Sequence, residues 1–453
     1  GSARCQAAIF CSNLSGDPMT KSVIIKGQTL AFADDPFIVG ADLATRFDED
    51  GAVWIENGLI RAVGPADAII AEVSEVPVHD FGKDLITAGF VDCHAHYPQL
   101  PIIASYGEQL LTWLEKYTFP TETAFHDAGV AAEAASFFVD ECLRNGITSS
   151  SVYATVHPVS VEVFFQIASA KNLRMACGKV LMDRNAPDDL RDTAQDGYDQ
   201  SKALIDAWHG NGRNVYALTP RFAPTSTPEQ LEAVGALWGE YPDILMQTHL
   251  SENASEVAWV ADLFPDAPDY FGVYEHFGLA GPGAIFGHAL HLSKRERAAI
   301  RDSGSGIAHC PTSNTFIGSG LFDMQGLRDT DAAIPVGLAT DVAGGSSLSM
   351  FATMRTAYEI AQLRGYSVHP AKAWYLATVG SATAMRMADK VGNLAPGMEA
   401  DLTIIDLTST DLICRRVARA ENIWDVLFAQ MILADDRAIA ATYIAGEPLY
   451  RRD

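Results

Sequence analysis

The sequence predicts an α/β protein: a (β/α)8 TIM barrel with a small β-sandwich domain formed by the N- and C-terminal segments. Two observations carry this expectation. Short apolar runs alternate eight times with stretches of helical periodicity through the middle of the chain. Both ends have a different texture, of short strands broken by turn residues.

Residues 1–18, "GSARCQAAIFCSNLSGDP", read as a leader or tag ahead of Met19, without the basic start and apolar core of a secretory signal. Residues 19–85 and 394–453 make up the expected β domain. Its front half holds "KSVIIKG", "AVWIENGLIRAVG" turning at Asn57-Gly58, and "DLITAGF"; its back half holds "LAPGMEADLTIIDL" and "IAATYIAGEPLYR". The run from Leu85 to Val91 reads as one buried strand. Residues 86–393 form the expected barrel, with strands at "AGFVDCHAH", "GITSSSVYA", "LRMACGKVLMD", "VYALTPRFAP", "ILMQTHLSE", "AIFGHALHL", "GIAHCPTSN" and "IPVGLATDVAGG". Between them, segments such as "AAEAASFFVDECLRN" and "TPEQLEAVGALWGEY" place apolar residues three and four apart and carry Asn or Gly near their ends, as helices do.

Composition narrows the partners. The 453 residues include 57 acidic and 32 basic side chains, a net charge of −25 that repels nucleic acid and anionic membrane surfaces. No apolar stretch approaches the roughly 20 residues of a membrane helix. The seven cysteines are odd in number and scattered, without a C-x-x-C pair, which points away from a disulfide framework or thiolate zinc site and toward a reducing cytoplasm.

A barrel of this kind keeps its chemistry at the C-terminal ends of its strands. Polar residues gather there: His94 and His96 end the first strand, Arg221 the fourth, His249 the fifth, His288 the sixth and Asp341 the eighth. Side chains two apart on a strand share a face, so His94 and His96 can meet one metal ion. His249 and Asp341 add a nitrogen and a carboxylate, a donor set that suits Zn²⁺ or Fe²⁺. Glu252, three residues after His249, is placed either as a general base for a metal-activated water or as a carboxylate answering a helix start. His288 can hydrogen-bond the attacking oxygen, whereas His291 is expected outside the site. His309 is open between supporting the site and packing, and Cys310 reads as a small buried filler.

On these residues the chain resembles the amidohydrolase superfamily, through "GFVDCHAH", the His249, His288 and Asp341 strand ends, and "GNLAPGMEADLTIIDL". Within it the chain is similar to the guanine deaminases, through "HAHYPQL", "LLTWLEKYTFPTE", "PRFAPTST", "THLSENASEV", "AHCPTSNTFIGSGLF" and "LATDVAGGSSLSMF". The resemblance implies zinc-dependent hydrolytic deamination of guanine to xanthine and ammonia. It implies one zinc per subunit on His94, His96, His249 and Asp341, with iron as an alternative. Glu252 would be the proton shuttle, with His288 and Asp341 beside the attacking oxygen. Gln99, Arg221 and Phe222 would contact the base, Arg221 having the alternative of a structural ion pair. Trp113 and Phe119 belong either over the pocket or in the core. A homodimer would be usual for the family. The zinc ligands of the unrelated cytidine-deaminase-like class, H-x-E with P-C-x-x-C, are missing from the sequence.

Overall fold

The computed structural model describes residues 21–73 and 75–452, so the expected leader lies outside the described residues. The chain opens with β1 (Ser22–Phe32), β2 (Thr45–Glu56), β3 (Leu59–Pro65) and β4 (Val78–Ala88). β2 and β3 form a hairpin at Asn57-Gly58, where both residues have positive φ, 52° and 80°. That is the conformation an Asn-Gly turn adopts to match the strand twist.

The single strand expected from Leu85 to Val91 is divided. β4 ends at Ala88 and pairs with β1, whereas β5 (Phe90–His96) starts a second sheet. Gly89 sits at the crossing, where a Cβ would come within 2.1 Å of Thr148 Oγ1. A continuous apolar run conceals such a division, because both sheets bury their strands.

The second sheet is the barrel. β5 is followed by β6 (Ile147–Tyr153), β7 (Arg174–Gly178), its continuation β8 (Val180–Leu181), β9 (Val215–Pro220), β10 (Leu245–Leu250), β11 (Ala284–His288), β12 (Gly306–His309) and β13 (Val336–Leu338). Neighbours pair in parallel in that order, β7 and β8 both against β9. The circle closes where Asp341 N donates to His94 O at 2.8 Å and His96 N donates to Val342 O at 3.0 Å. Small side chains fill the lumen: Val91, Cys93, Ala176, Ala217, Ala308 and Ala339 pack together. Larger ones, including Phe138, Phe164, Phe286 and Trp374, fill the layer between strands and helices.

The chain ends with β14 (Leu402–Ile405), β15 (Ile439–Ile444) and β16 (Glu447–Arg451). These join the opening strands in one seven-stranded mixed sheet, ordered β16-β15-β14-β4-β1-β2-β3. Arg213 and Arg174 share the Glu399 carboxylate, and Arg213 also reaches Asp401, so a half-buried charge cluster ties the lead-in to β14 to the barrel. Among the described residues no helix is long and apolar enough to cross a membrane.

Gly337 of β13 is a sensitive point of the closure: a Cβ there would lie 2.2 Å from Cys93 Sγ and 2.6 Å from Ser381 Cα. Gly337→Ala is expected to lower stability by about 1–3 kcal/mol through overpacking. It should also push β13, and Asp341 beyond it, away from β5. Denaturant melts and metal content measure the two effects, and an unchanged midpoint would refute the tight fit.

Candidate metal centre and active site

Strand alternation alone would point Cys93 and His94 to opposite sides. The pairing shows otherwise: Asp92 faces Ser150 and Ala95 faces Val152, so Cys93 and His94 together oppose one residue of β6. This bulge re-aims the strand. Cys93 packs in the lumen, Ala95 and Tyr97 face the helices, and His94 and His96 converge at the mouth. The closure places Asp341 beside them, held from behind by Asp92, whose carboxylate accepts from Thr340 N at 3.0 Å and Thr340 Oγ1 at 2.5 Å. Asp341 and His288 both have positive φ, 47° and 70°, uncommon for residues with side chains.

His94 Nε2 lies 3.1 Å from His96 Nε2, and His96 Nε2 lies 3.3 Å from His249 Nε2. Asp341 Oδ1 is 3.3 Å from His94 Nε2 and 3.5 Å from His96 Nε2. Arg221 O, an acceptor only, lies 2.6 Å from His249 Nδ1. That fixes the proton on Nδ1 and leaves the Nε2 lone pair facing the cluster. Burial first, then the neighbouring imidazoles, holds His96 and His249 well below the usual histidine range, so both are neutral. Burial opposes the Asp341 carboxylate, but His94 foremost, then His288, outweighs it and lowers its pKa to about 2. His94, His96 and His249 lie close enough to share one ion, and Asp341 lies within 3.5 Å of two of them, a donor set that fits a divalent ion. Gly287 leaves the room this needs, since a Cβ there would come within 2.9 Å of His94 Cε1.

The lowered imidazole pKa values carry a pH dependence. Unfolded histidines take up protons near pH 6.5 that the buried ones refuse, so stability is lost as pH falls below about 6.5. The melting temperature of metal-free protein is expected to drop between pH 7 and 5, less steeply in His249→Asn. Equal slopes in both proteins would contradict this.

Glu252 lies two residues ahead of the helix Ala254–Leu263, but the helix start is served by others: Asn253 caps it, and Glu256 accepts from the backbone N of Glu252 and Asn253. The Glu252 side chain turns into the cleft instead. Ser319 Oγ donates to its Oε1 at 3.2 Å, and His288 Nε2 is 3.4 Å from Oε2. Burial, then the Asp341 and Glu256 carboxylates, raises its pKa well above the carboxylate range, so it holds a proton readily. His288 Nε2 is also 3.7 Å from Asp341 Oδ2, and its Nδ1 is 2.9 Å from Asn314 Oδ1.

The cleft is lined by Gln99, Trp113, Arg221, Phe222, Glu252 and His288 among others. Trp113 lines the cleft while packing on Tyr117 and Phe316. Phe119 packs in a cluster with Tyr153 and Met182, its ring 5.6 Å from the Arg221 guanidinium. His291 lies outside the cleft lining, its Nε2 3.1 Å from Ser319 O, and His309 stacks on Phe322. Cys310 is fully buried next to His94, His288 and Asp341. Sequence reasoning missed Glu122, Tyr153, Asn314 and Ser319. Tyr153 stacks on His96 with ring centroids 4.5 Å apart. Glu122, Asn314 and Ser319 fall within strings that carry the resemblance, but their partners lie far along the chain and no local spacing assigns them.

A barrel mouth that gathers imidazoles, an ionised carboxylate and a proton-holding glutamate around a small cleft defines a hydrolase with a candidate metal centre. The amidohydrolase family profile matches residues 85–449, and the chain belongs to that family. It is 45% identical over 411 residues to the guanine deaminase of Escherichia coli (strain K12), covering 90% of this chain and 93% of that one. The solved structure of an E. coli guanine deaminase superposes with a TM-score of 0.92 at 43% identity, over 95% of this chain and all of that one. A guanine deaminase from C. acetobutylicum, solved with guanine bound in its active site, superposes at 0.84 with 26% identity, over 95% of this chain and 100% of that one.

Proposed function

We infer that this protein is a guanine deaminase, hydrolysing guanine to xanthine and ammonia. The observation that carries the reading is the 45% identity to the E. coli enzyme across nearly the whole chain. The site residues agree with the chemistry. His94, His96, His249 and Asp341 would hold one divalent ion per subunit, zinc by donor type with iron(II) as the alternative. When bound, the ion supplies a water acidic enough to lose its proton near neutral pH.

Glu252 takes that proton and returns it to the ring nitrogen beside C2. The water oxygen bonds to C2, Glu252 then carries the remaining hydroxyl proton to the amino nitrogen, the C2–amino bond breaks, ammonia leaves and C2 becomes a carbonyl. His288, held through Nδ1 by Asn314, and Asp341 orient the oxygen during attack. Arg221, Gln99 and Phe222 grip the planar base, and Trp113 closes over it. Residues 86–393 are then the catalytic barrel and 19–85 with 394–453 an accessory β domain. The enzyme would serve purine catabolism as a homodimer in the cytoplasm, a setting consistent with the free cysteines among the described residues.

An ultraviolet assay on metal-quantified protein tests the reading, with adenine, cytosine and 8-oxoguanine alongside guanine. Conversion of guanine to xanthine that stops on chelation is expected. A metal-loaded protein that leaves guanine untouched would refute it.

A further inference from the structure

Glu122 is wholly buried, yet nothing in the chemistry at C2 requires it. It sits at the end of the helical turn Phe119–Glu122, on the segment that follows β5. Its carboxylate grips Arg221 with both oxygens: Arg221 Nη1 donates to Oε2 at 2.7 Å and Nη2 to Oε1 at 3.0 Å. Gln99 Nε2 donates to the same Oε1 at 3.1 Å.

A carboxylate can only accept, so the amide of Gln99 has one orientation available to it. Its NH₂ faces Glu122, and Oε1 is left as an acceptor; among the described residues it makes no hydrogen bond. Arg221 uses two of its five N–H groups on Glu122 and keeps donors for the cleft. The buried pair is neutral overall, which suits an uncharged ligand. The cleft therefore shows a donor from Arg221 and an acceptor from Gln99, side by side and both set by one carboxylate.

We propose that Glu122 is a positioning residue that makes the cleft select a cyclic lactam, a ring carbonyl next to a ring N–H, over an aminopurine edge. The lactam offers its oxygen to Arg221 and its N–H to Gln99 Oε1. A 6-aminopurine reverses the pattern, presenting N–H groups to Arg221 and a lone pair to Gln99, so polar groups on both sides would be left unpaired. The inference rests on the guanine reading and deepens it.

Hypoxanthine and purine test it, since both lack the 2-amino group and they differ at the lactam. Titration calorimetry on metal-loaded wild-type protein should find hypoxanthine tighter by about 10- to 100-fold. Glu122→Gln should weaken hypoxanthine by a similar factor, change purine by less than about 3-fold, and raise KM for guanine more than it lowers kcat. Equal weakening of both ligands, as general loosening would produce, overturns the proposal, as does no change in either. Glu122→Gln leaves Arg221 buried without its partner, which can prevent folding. Gln99→Leu keeps the ion pair and poses the same question: selective loss of hypoxanthine supports the proposal, and equal loss refutes it. Wild-type protein that discriminates the ligands but does not turn over guanine would sink the deamination reading alone. Turnover of guanine without discrimination would sink this one alone.

Discussion

Glu252→Gln is expected to lower kcat for guanine by about 10²–10⁴-fold while leaving metal content at the wild-type level. The amide matches the carboxyl in shape, so the contacts with Ser319 and His288 can persist. What it loses is the ability to take and return a proton. The burial and neighbouring carboxylates that raise the Glu252 pKa make it a ready proton carrier, and an amide has no equivalent state. Metal analysis beside steady-state kinetics separates this role from an effect on the ion. Substantial turnover by a metal-replete variant would remove Glu252 from the proton path.

His249→Ala should act one step earlier. It removes one of the three converging imidazoles, and with it the groups that face His96 Nε2 and Arg221 O. Metal content is expected to fall to near zero, and turnover by at least about 10³-fold, since several kcal/mol of transition-state stabilisation depends on the ion. Elemental analysis and circular dichroism distinguish an emptied site from an unfolded chain. Full occupancy with undiminished turnover would exclude His249 from the ligand set.

Much of the architecture is legible in the amino-acid sequence. All eight barrel staves fall within its apolar runs, because parallel strands buried on both faces keep their hydrophobic signature regardless of neighbours. The Asn57-Gly58 hairpin is legible for a local reason, as few residue pairs accept positive φ in succession. The division at Gly89 is hidden, since an apolar run records burial but not which sheet provides it.

The site divides in the same way. His94-x-His96 is readable as a pair from spacing, although the bulge that carries Cys93 and His94 to one side depends on pairing with β6. Asp341 lies beyond the last residue of β13, and the hydrogen bond from its N to His94 O puts it in the cluster. Glu122 falls within the string "LLTWLEKYTFPTE" but has no partner assignable from sequence, because Arg221 lies 99 residues away.

The amino-acid order by itself determined the fold class, the donor types and the strand ends that carry them. Local periodicity and side-chain chemistry are properties of short segments, and short segments can be read in isolation. Only the tertiary structure decided which donors meet, which way the Gln99 amide faces and that the Glu252 side chain turns into the cleft. Those depend on distances and shared burial between segments far apart in the chain, which come into being when the barrel closes.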